Sequence, residues 1–324
     1  MLYRFAQAVS ACTIFLLLAG SLVTSTGSGL SVPDWPTTYG WNMFTFPPSK
    51  WVGGIFYEHG HRLIASTVGL LTVVLAVWLW RADDRGWMRK LGGAALGAVV
   101  LQGVLGGVTV LYFLPTAVST AHAGLAEIFF CLTVAIALFT SPDWKRGTGL
   151  VEDRVLRRAA TTTTALVYLQ ILVGATMRHS GVGLAIPDFP LMFGGLLPDH
   201  WSPGITLHFA HRAGALIVAS MVVATSAHVW YHHRGRRGLI RSASLLVGLV
   251  AVQVTLGAAT VLSGLNVWIN SLHVVCGALV LATSLVLTLR AWHARLAAPI
   301  PGRGAGAHEE RGDAATTKPL GVGA

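Results

Sequence analysis

Eight long apolar runs dominate this sequence and limit what the chain can fold into. Each run has about 20 mainly apolar residues, which is the length that a helix needs to cross a lipid bilayer. The runs lie at about 7–25, 58–80, 91–112, 119–140, 158–177, 206–231, 242–262 and 268–289. Only 11% of the 324 residues are charged, whereas soluble domains average about 25%. The sequence therefore predicts an all-α integral membrane protein with eight transmembrane helices.

The basic residues of this chain are concentrated in short loops between the apolar runs. Four or five lysines or arginines lie in each of three loops, 81–90, 141–158 and 232–241. The two long loops, 26–57 and 178–205, contain only Lys50 and Arg178. The net charge of +10 therefore reflects membrane orientation and not nucleic-acid binding. This pattern predicts a multi-pass protein of the cell membrane, with both termini in the cytoplasm and the two long loops outside.

Two halves of the chain repeat one another at a nearly constant offset. The block GSLVTSTGSGLSVPDWP at 20–36 pairs with GATMRHSGVGLAIPDFP at 174–190, which is an offset of 154 residues. Blocks at 58–62, 102–111 and 121–124 pair with later segments at offsets of 150 or 151 residues. Chance similarity between apolar helices would not keep several blocks collinear, so the repeat indicates a tandem duplication.

The duplication predicts two four-helix bundles related by a pseudo-two-fold axis along the membrane normal. The N-terminal half is expected at 1–145 and the C-terminal half at 158–294, joined by a cytoplasmic linker at 146–157. The remaining residues, 295–324, are rich in glycine, alanine and charge. Such a composition predicts a disordered cytoplasmic tail.

Four of the 13 histidines lie within apolar helices and pair across the repeat, His61 with His211 and His122 with His273. All four fall on even-numbered helices near the outer face of the membrane. Two imidazoles in each half suit the two axial positions of a heme iron, whereas zinc usually takes three or four protein ligands. The alternative is a set of hydrogen-bonded core histidines, but ionisable groups inside a membrane usually have a function.

Three charged residues accompany these histidines. Arg62 and Arg212 directly follow His61 and His211, where a guanidinium is a candidate partner for heme propionates or simply an interfacial cation. Glu58 lies three residues before His61 and therefore on the same helix face. Its repeat partner is His208, so the acid is present in one half only. This asymmetry predicts that the first half carries out a reaction, with Glu58 as a base or proton relay.

In the order STGSGLSVPDWP, EHGHR, TAHAG, LHFAHR and NSLHVVCGAL, these motifs resemble those of the heme A synthase family over all of the chain except the tail. The resemblance implies an oxidoreductase that oxidises the C8 methyl group of heme O to the formyl group of heme A. It implies that His211 and His273 hold a heme b, that His61 and His122 face the substrate heme O, and that Glu58 is catalytic. The first outer loop lacks the cysteine pair of some relatives.

The resemblance also implies partners, namely a heme O synthase that hands over the substrate and a cytochrome c oxidase that receives heme A. Two other classes of protein fit parts of the pattern. A di-heme b-type membrane electron carrier explains the four histidines but not the single glutamate. A transporter with parallel repeats explains the duplication, but it predicts no bound iron.

Overall fold

The computed structural model describes residues 1–147 and 151–297, and this part of the chain is helices joined by loops. In chain order the helices are α1 (Leu2–Ser25), α2 (Gly54–Ala82), α3 (Gly86–Leu111), α4 (Thr116–Thr140), the short α5 (Pro142–Lys145), α6 (Arg154–His179), α7 (Pro203–His232), α8 (Arg237–Leu262) and α9 (Val267–Ala297). Eight of them, all except α5, are long and apolar enough to cross a membrane. The prediction of an all-α membrane protein with eight spanning helices is confirmed.

The contacts between helices fall into two groups of four. Helices α1 and α3 each pack against both α2 and α4, and helices α6 and α8 each pack against both α7 and α9. Between the groups, α9 contacts α1 and α4, and α4 also contacts α6. Helices α4 and α9 are consequently the most buried of the eight. This grouping follows the two halves of the sequence repeat, while their symmetry about a membrane normal stays a prediction.

The helices are longer than the apolar runs that predicted them, because polar residues continue or cap their ends. The side chain of Asp153 accepts a hydrogen bond from the backbone N–H of Leu156, so α6 begins four residues earlier than its apolar run. A capping oxygen of this kind satisfies a backbone donor that the helix leaves free. The last four residues of the predicted linker, 154–157, are therefore helical. Helix α9 likewise continues to Ala297, into the predicted tail, and residues 298–324 lie outside the described residues.

A buried arginine joins the two groups of helices. Arg178, in the last turn of α6, donates hydrogen bonds to the carbonyl of Ser21 at 2.8 Å and to the hydroxyl of Ser25 at 2.7 Å, both on α1. It also reaches the side-chain oxygen of Asn270 on α9 at 3.4 Å. Unpaired polar groups are costly in an apolar interior. This cluster therefore fixes α6 against α1 and α9 near the end of the molecule that bears the long loops.

Candidate functional site

The four predicted histidines come together as two pairs. His61 on α2 and His122 on α4 lie close enough to interact electrostatically, and so do His211 on α7 and His273 on α9. Each lies about two helical turns from the start of its helix, which corresponds to roughly 9–12 Å along the axis. All four helices start at the end of the molecule with the long loops, so both pairs lie at a similar depth.

A glycine on the neighbouring helix packs against each of these imidazoles. A Cβ atom added to Gly20, Gly106, Gly174 or Gly257 would lie 2.9, 3.4, 2.8 or 3.0 Å from the Cε1 atom of His61, His122, His211 or His273, respectively. A larger residue at these positions would push on the ring, so the glycines allow helix and imidazole to approach closely. Sequence analysis missed them, although each pair of glycines occupies matching places in the repeated blocks.

The ring nitrogens of these histidines indicate that the pairs are not ordinary core histidines. The Nδ1 atoms of His61, His122 and His273 are buried and have no hydrogen-bond partner among the described residues. Buried polar atoms are normally paired, so orphaned nitrogens point to a missing partner or ligand. Two neighbouring imidazoles in an apolar bundle, each packed against a glycine, are a donor set that fits the two axial positions of a porphyrin iron.

The two pairs differ in how firmly the protein holds them. The Gln170 side-chain nitrogen lies 2.9 Å from Nδ1 of His211 and 2.7 Å from its backbone carbonyl oxygen. At the matching place in the first half the chain has Leu16, which cannot form such a bond. Gln253 approaches Nε2 of His273 at 3.4 Å. His211 is thus oriented by a polar neighbour that His61 lacks on α1, whereas Gln102 and Gln253 occupy matching places beside His122 and His273.

Glu58 and Arg62 form a buried ion pair that holds the first outer loop. The Glu58 Oε1 atom lies 2.6 Å from the Arg62 guanidinium, and Oε2 accepts a hydrogen bond from the Val32 N–H at 2.7 Å. Arg62 also donates to the backbone carbonyls of Val32, Asp34 and Thr37 at 2.8–3.0 Å. Both carboxylate oxygens are therefore engaged, and most of the arginine donors bind loop carbonyls. A contact from Arg62 to heme propionates stays a prediction.

The second half has the same arrangement without the acid. Arg212 donates to the carbonyls of Ile186, Asp188 and Leu191 at 2.6–3.0 Å, which are the loop positions that match those bound by Arg62. His208 replaces the glutamate, with Nδ1 3.2 Å from the Ile186 nitrogen and Nε2 3.2 Å from Nε of Arg212. A neutral imidazole has one acceptor nitrogen, so it can accept only one of these bonds, whereas a carboxylate accepts both. A propionate contact from Arg212 also stays a prediction.

Both outer loops are folded around an aspartate. Asp34 accepts hydrogen bonds from the backbone N–H groups five and six residues further on, at 2.7 and 2.8 Å, and Asp188 does the same at 2.9 Å. Partial burial raises the pKa of Asp34, but hydrogen bonds from Gly40, Thr37 and Tyr39 outweigh it and keep that pKa below its usual value of 3.8. The bonds to Asp188 likewise lower its pKa. In each loop, backbone hydrogen bonds thus stabilise the negatively charged form of the aspartate at the turn.

Trp35 of the first outer loop packs onto α3. A Cβ atom added to Gly107 would lie 2.6 Å from Cδ2 of the Trp35 ring, so the indole covers the helix next to the glycine that faces His122. The Trp35 side chain remains partly exposed. The loop therefore covers part of the first bundle at the end where the His61 and His122 pair lies.

Fold and site together define a polytopic membrane protein in which two helix bundles each present a half-buried histidine pair suited to heme iron. Residues 48–285 match the COX15-CtaA family model, which describes a cytochrome oxidase assembly protein. Relatives named heme A synthase include those of Symbiobacterium thermophilum, 32% identical over 82% of this chain and 87% of the relative, and Geobacillus kaustophilus, 29% identical over 88% and 91%. The chain belongs to the heme A synthase family.

Proposed function

We propose that this chain converts heme O to heme A by oxidising the C8 methyl group of the substrate to a formyl group. The observation that carries the proposal is the presence of two repeat-related pairs of half-buried histidines, only one of which has a carboxylate, the buried Glu58, on the same helix face. A protein that only passes electrons between two hemes has no need for this asymmetry. The names of the relatives support the same activity.

In this proposal the two halves have different tasks. His211 and His273, in the half at 158–294, hold a resident heme b, while His61 and His122, in the half at 1–145, bind heme O as the substrate. A bound heme b supplies the one-electron chemistry that protein side chains lack. The polar contacts of Gln170 with His211 support a permanent ligand in the second half. The less restrained first pair suits a substrate that must enter and leave.

Glu58 is the proposed catalytic residue of the first half. Its carboxylate is bound by Arg62 and by the Val32 N–H, which fix its position three residues before His61. We propose that it takes up a proton at Oε1 or Oε2 as the methyl group is oxidised. Arg62 and Arg212 keep the two outer loops closed over the sites, which excludes water from them.

The proposal includes a location and two partners. We infer a multi-pass protein of the cell membrane with both termini in the cytoplasm and both histidine pairs near the outer face, as the distribution of lysine and arginine indicates. Heme O arrives from a heme O synthase, and heme A leaves for cytochrome c oxidase.

The apolar surface of α4 and α9 in the middle of the molecule keeps the two halves in one unit.

The test is to identify the hemes that are extracted from the purified protein. Cells that supply heme O should yield protein with heme b together with heme O or heme A, separable by reversed-phase chromatography. The double variant His211→Ala/His273→Ala should lose heme b, and His61→Ala/His122→Ala should keep heme b but form no heme A. Heme b alone in the wild-type protein, even with heme O supplied, would instead indicate an electron carrier. Colourless wild-type protein would exclude both functions.

A further inference from the structure

A second cluster of potential metal ligands lies at the end of the C-terminal bundle opposite the histidine pairs. Asp153 caps the start of α6, His228 lies in the last two turns of α7, and His233 directly follows α7. The Oδ2 atom of Asp153 is 2.8 Å from Nε2 of His228 and 2.9 Å from Nε2 of His233. The three ligand atoms lie within 4.8 Å of one another. The start of α6 and the end of α7 thus converge on one point.

The chemistry of these ligand atoms suits a divalent transition metal. Imidazole nitrogen and carboxylate oxygen bind zinc at about 2.0–2.2 Å, which places neighbouring ligands of a tetrahedral ion roughly 3.3 Å apart. The two nitrogens of the cluster approach the carboxylate more closely than that, and small side-chain rotations would open the space that an ion needs. The three side chains are only 12–20% exposed, so they are shielded from water on most sides.

The surroundings of the cluster position the carboxylate of Asp153 for metal binding. The Oδ1 atom of Asp153 accepts the backbone N–H of Leu156 at 2.9 Å, which fixes the carboxylate and turns Oδ2 toward the histidines. Metal-binding carboxylates are commonly held by hydrogen bonds of this kind. The neighbouring acid, Glu152, pairs instead with Arg157 at 3.3 Å and Arg295 at 3.5 Å, so it does not compete for the histidines.

We propose that Asp153, His228 and His233 form a binding site for Zn²⁺ or a similar divalent transition metal. Two histidines and one carboxylate leave a fourth position for water or an external ligand. The site joins the start of α6 to the end of α7 and thereby stabilises the C-terminal bundle at the end away from the hemes. His228 is 17 residues beyond His211 on α7, which corresponds to about 25 Å. This site does not depend on the function proposed above.

Metal binding by the wild-type protein is the first measurement. The protein is purified with hemes bound and without a polyhistidine tag, so that neither the heme ligands nor a tag takes up metal. It is treated with a chelator, which is then removed, and titrated with Zn²⁺ alone by calorimetry. After dialysis the zinc content is measured by mass spectrometry. We expect about one tightly bound Zn²⁺ per chain and an increase in the thermal unfolding temperature that EDTA reverses.

Variants then assign the binding to the cluster. Asp153→Asn and His228→Gln should each weaken Zn²⁺ binding at least tenfold and abolish the thermal shift, with the heme spectrum unchanged. His232→Gln is the matched control, because His232 is an exposed neighbour at the same helix end whose ring lies 4.5 Å from that of His228. It should bind Zn²⁺ like the wild type.

Three results would overturn the site: no Zn²⁺ uptake by the wild-type protein, undiminished uptake by either cluster variant, or an equal loss in His232→Gln. If Asp153→Asn or His228→Gln alters the heme spectrum and thus the fold, His233→Gln decides the question. His233 lies beyond the last helical residue of α7, so its replacement leaves the packed helices intact. Zinc binding by that variant with wild-type affinity would exclude the proposal.

Discussion

Glu58 and His208 occupy equivalent places in the two halves and hold equivalent long loops, yet only one of them is an acid. Both contact the arginine four residues further on and a loop N–H, namely that of Val32 or Ile186. Holding the loop and the arginine in place therefore does not by itself require a carboxylate. The retention of an acid in one half is what connects this residue to the chemistry of the first site.

Replacement of Glu58 by glutamine separates these two roles. Because the glutamine amide still accepts a hydrogen bond but takes up no proton, Glu58→Gln should fold and retain heme b while losing the proton acceptor. We expect heme A formation to fall by roughly 10²- to 10⁴-fold, the usual contribution of a positioned acid or base. Chromatography of the extracted hemes measures this. His208→Gln is the control for a weakened loop contact without loss of an acid. Normal heme A formation by Glu58→Gln would remove the carboxylate from the mechanism.

The glycines beside the histidines allow a prediction about the proposed heme b site. In Gly174→Ala the added methyl group would lie 2.8 Å from Cε1 of His211, so the ring must move. Alanine favours a helix over glycine by about 0.5–1 kcal/mol, so any loss must come from this contact. We expect a shifted heme b absorption spectrum or a lower heme b content.

Gly248→Ala, on α8 of the same half, provides the matched control. A Cβ atom there has no neighbour within 4 Å, so only the gain in helix propensity remains. Its spectrum should equal that of the wild-type protein. Identical spectra for Gly174→Ala and the wild type would mean that this glycine does not position His211.

At the scale of elements, the outer loops are the parts whose shape depends most on a few polar contacts. Asp34 stabilises the first loop by accepting hydrogen bonds from N–H groups of the loop itself. Arg62 on α2 stabilises it by donating to a loop carbonyl. Its short 3-10 turns at Met43–Thr45 and Pro48–Lys50 provide little further regular structure. We therefore expect the shape of this loop to change when one of these polar contacts is lost.

Acid should open this loop. The folded loop keeps the pKa of Asp34 below 3.8, so its carboxylate stabilises the loop fully above that value and progressively less as the pH falls through the folded pKa. Protease cleavage of the loop in reconstituted vesicles should thus increase below about pH 4. Asp34→Asn should be cleaved faster at neutral pH and show less dependence on pH. Equal cleavage of both proteins from neutral to acidic pH would exclude this role of Asp34.

At the scale of the whole molecule, the two bundles are joined by packing of α4 and α9 and by the polar cluster around Arg178. The interface contains the Ser25 and Ser271 hydroxyls 2.9 Å apart, next to the bonds from Arg178 to α1 and α9. Such bonds stabilise an interface in lipid because the alternative is an unpaired polar group. The relative position of the two histidine pairs depends on this contact.

Removal of the guanidinium tests that dependence. Arg178→Met leaves the carbonyl of Ser21 and the side chains of Ser25 and Asn270 with fewer partners, and each such loss costs about 1–3 kcal/mol. We expect a lower thermal unfolding temperature in detergent, with both hemes still bound at low temperature. Arg158→Met, an exposed substitution on the same helix, is the control and should unfold like the wild type. Equal unfolding temperatures for the two variants would contradict a joining role for Arg178.

Much of this molecule follows from the sequence by itself. Apolar runs of a length that spans a bilayer predict the eight helices because lipid admits few other structures. The repeat offset pairs His61 with His211 and His122 with His273, since duplicated segments keep their order. Histidine is also rare enough in apolar helices to stand out. These patterns do not determine the contacts between helices that are distant in sequence.

Those contacts are decided only by the tertiary structure. Sequence analysis assigned Arg62 and Arg212 to propionates or to the membrane interface, but in the folded chain most of their donors bind loop carbonyls 21–30 residues away. The glycines facing the histidines and the cluster of Asp153, His228 and His233 were not predicted at all. Hydropathy shows which segments of the chain lie in lipid. The repeat offsets show the order of the duplicated segments along the chain. The rotation of one helix against another, and hence which side chains meet, depends on the packing of the whole bundle.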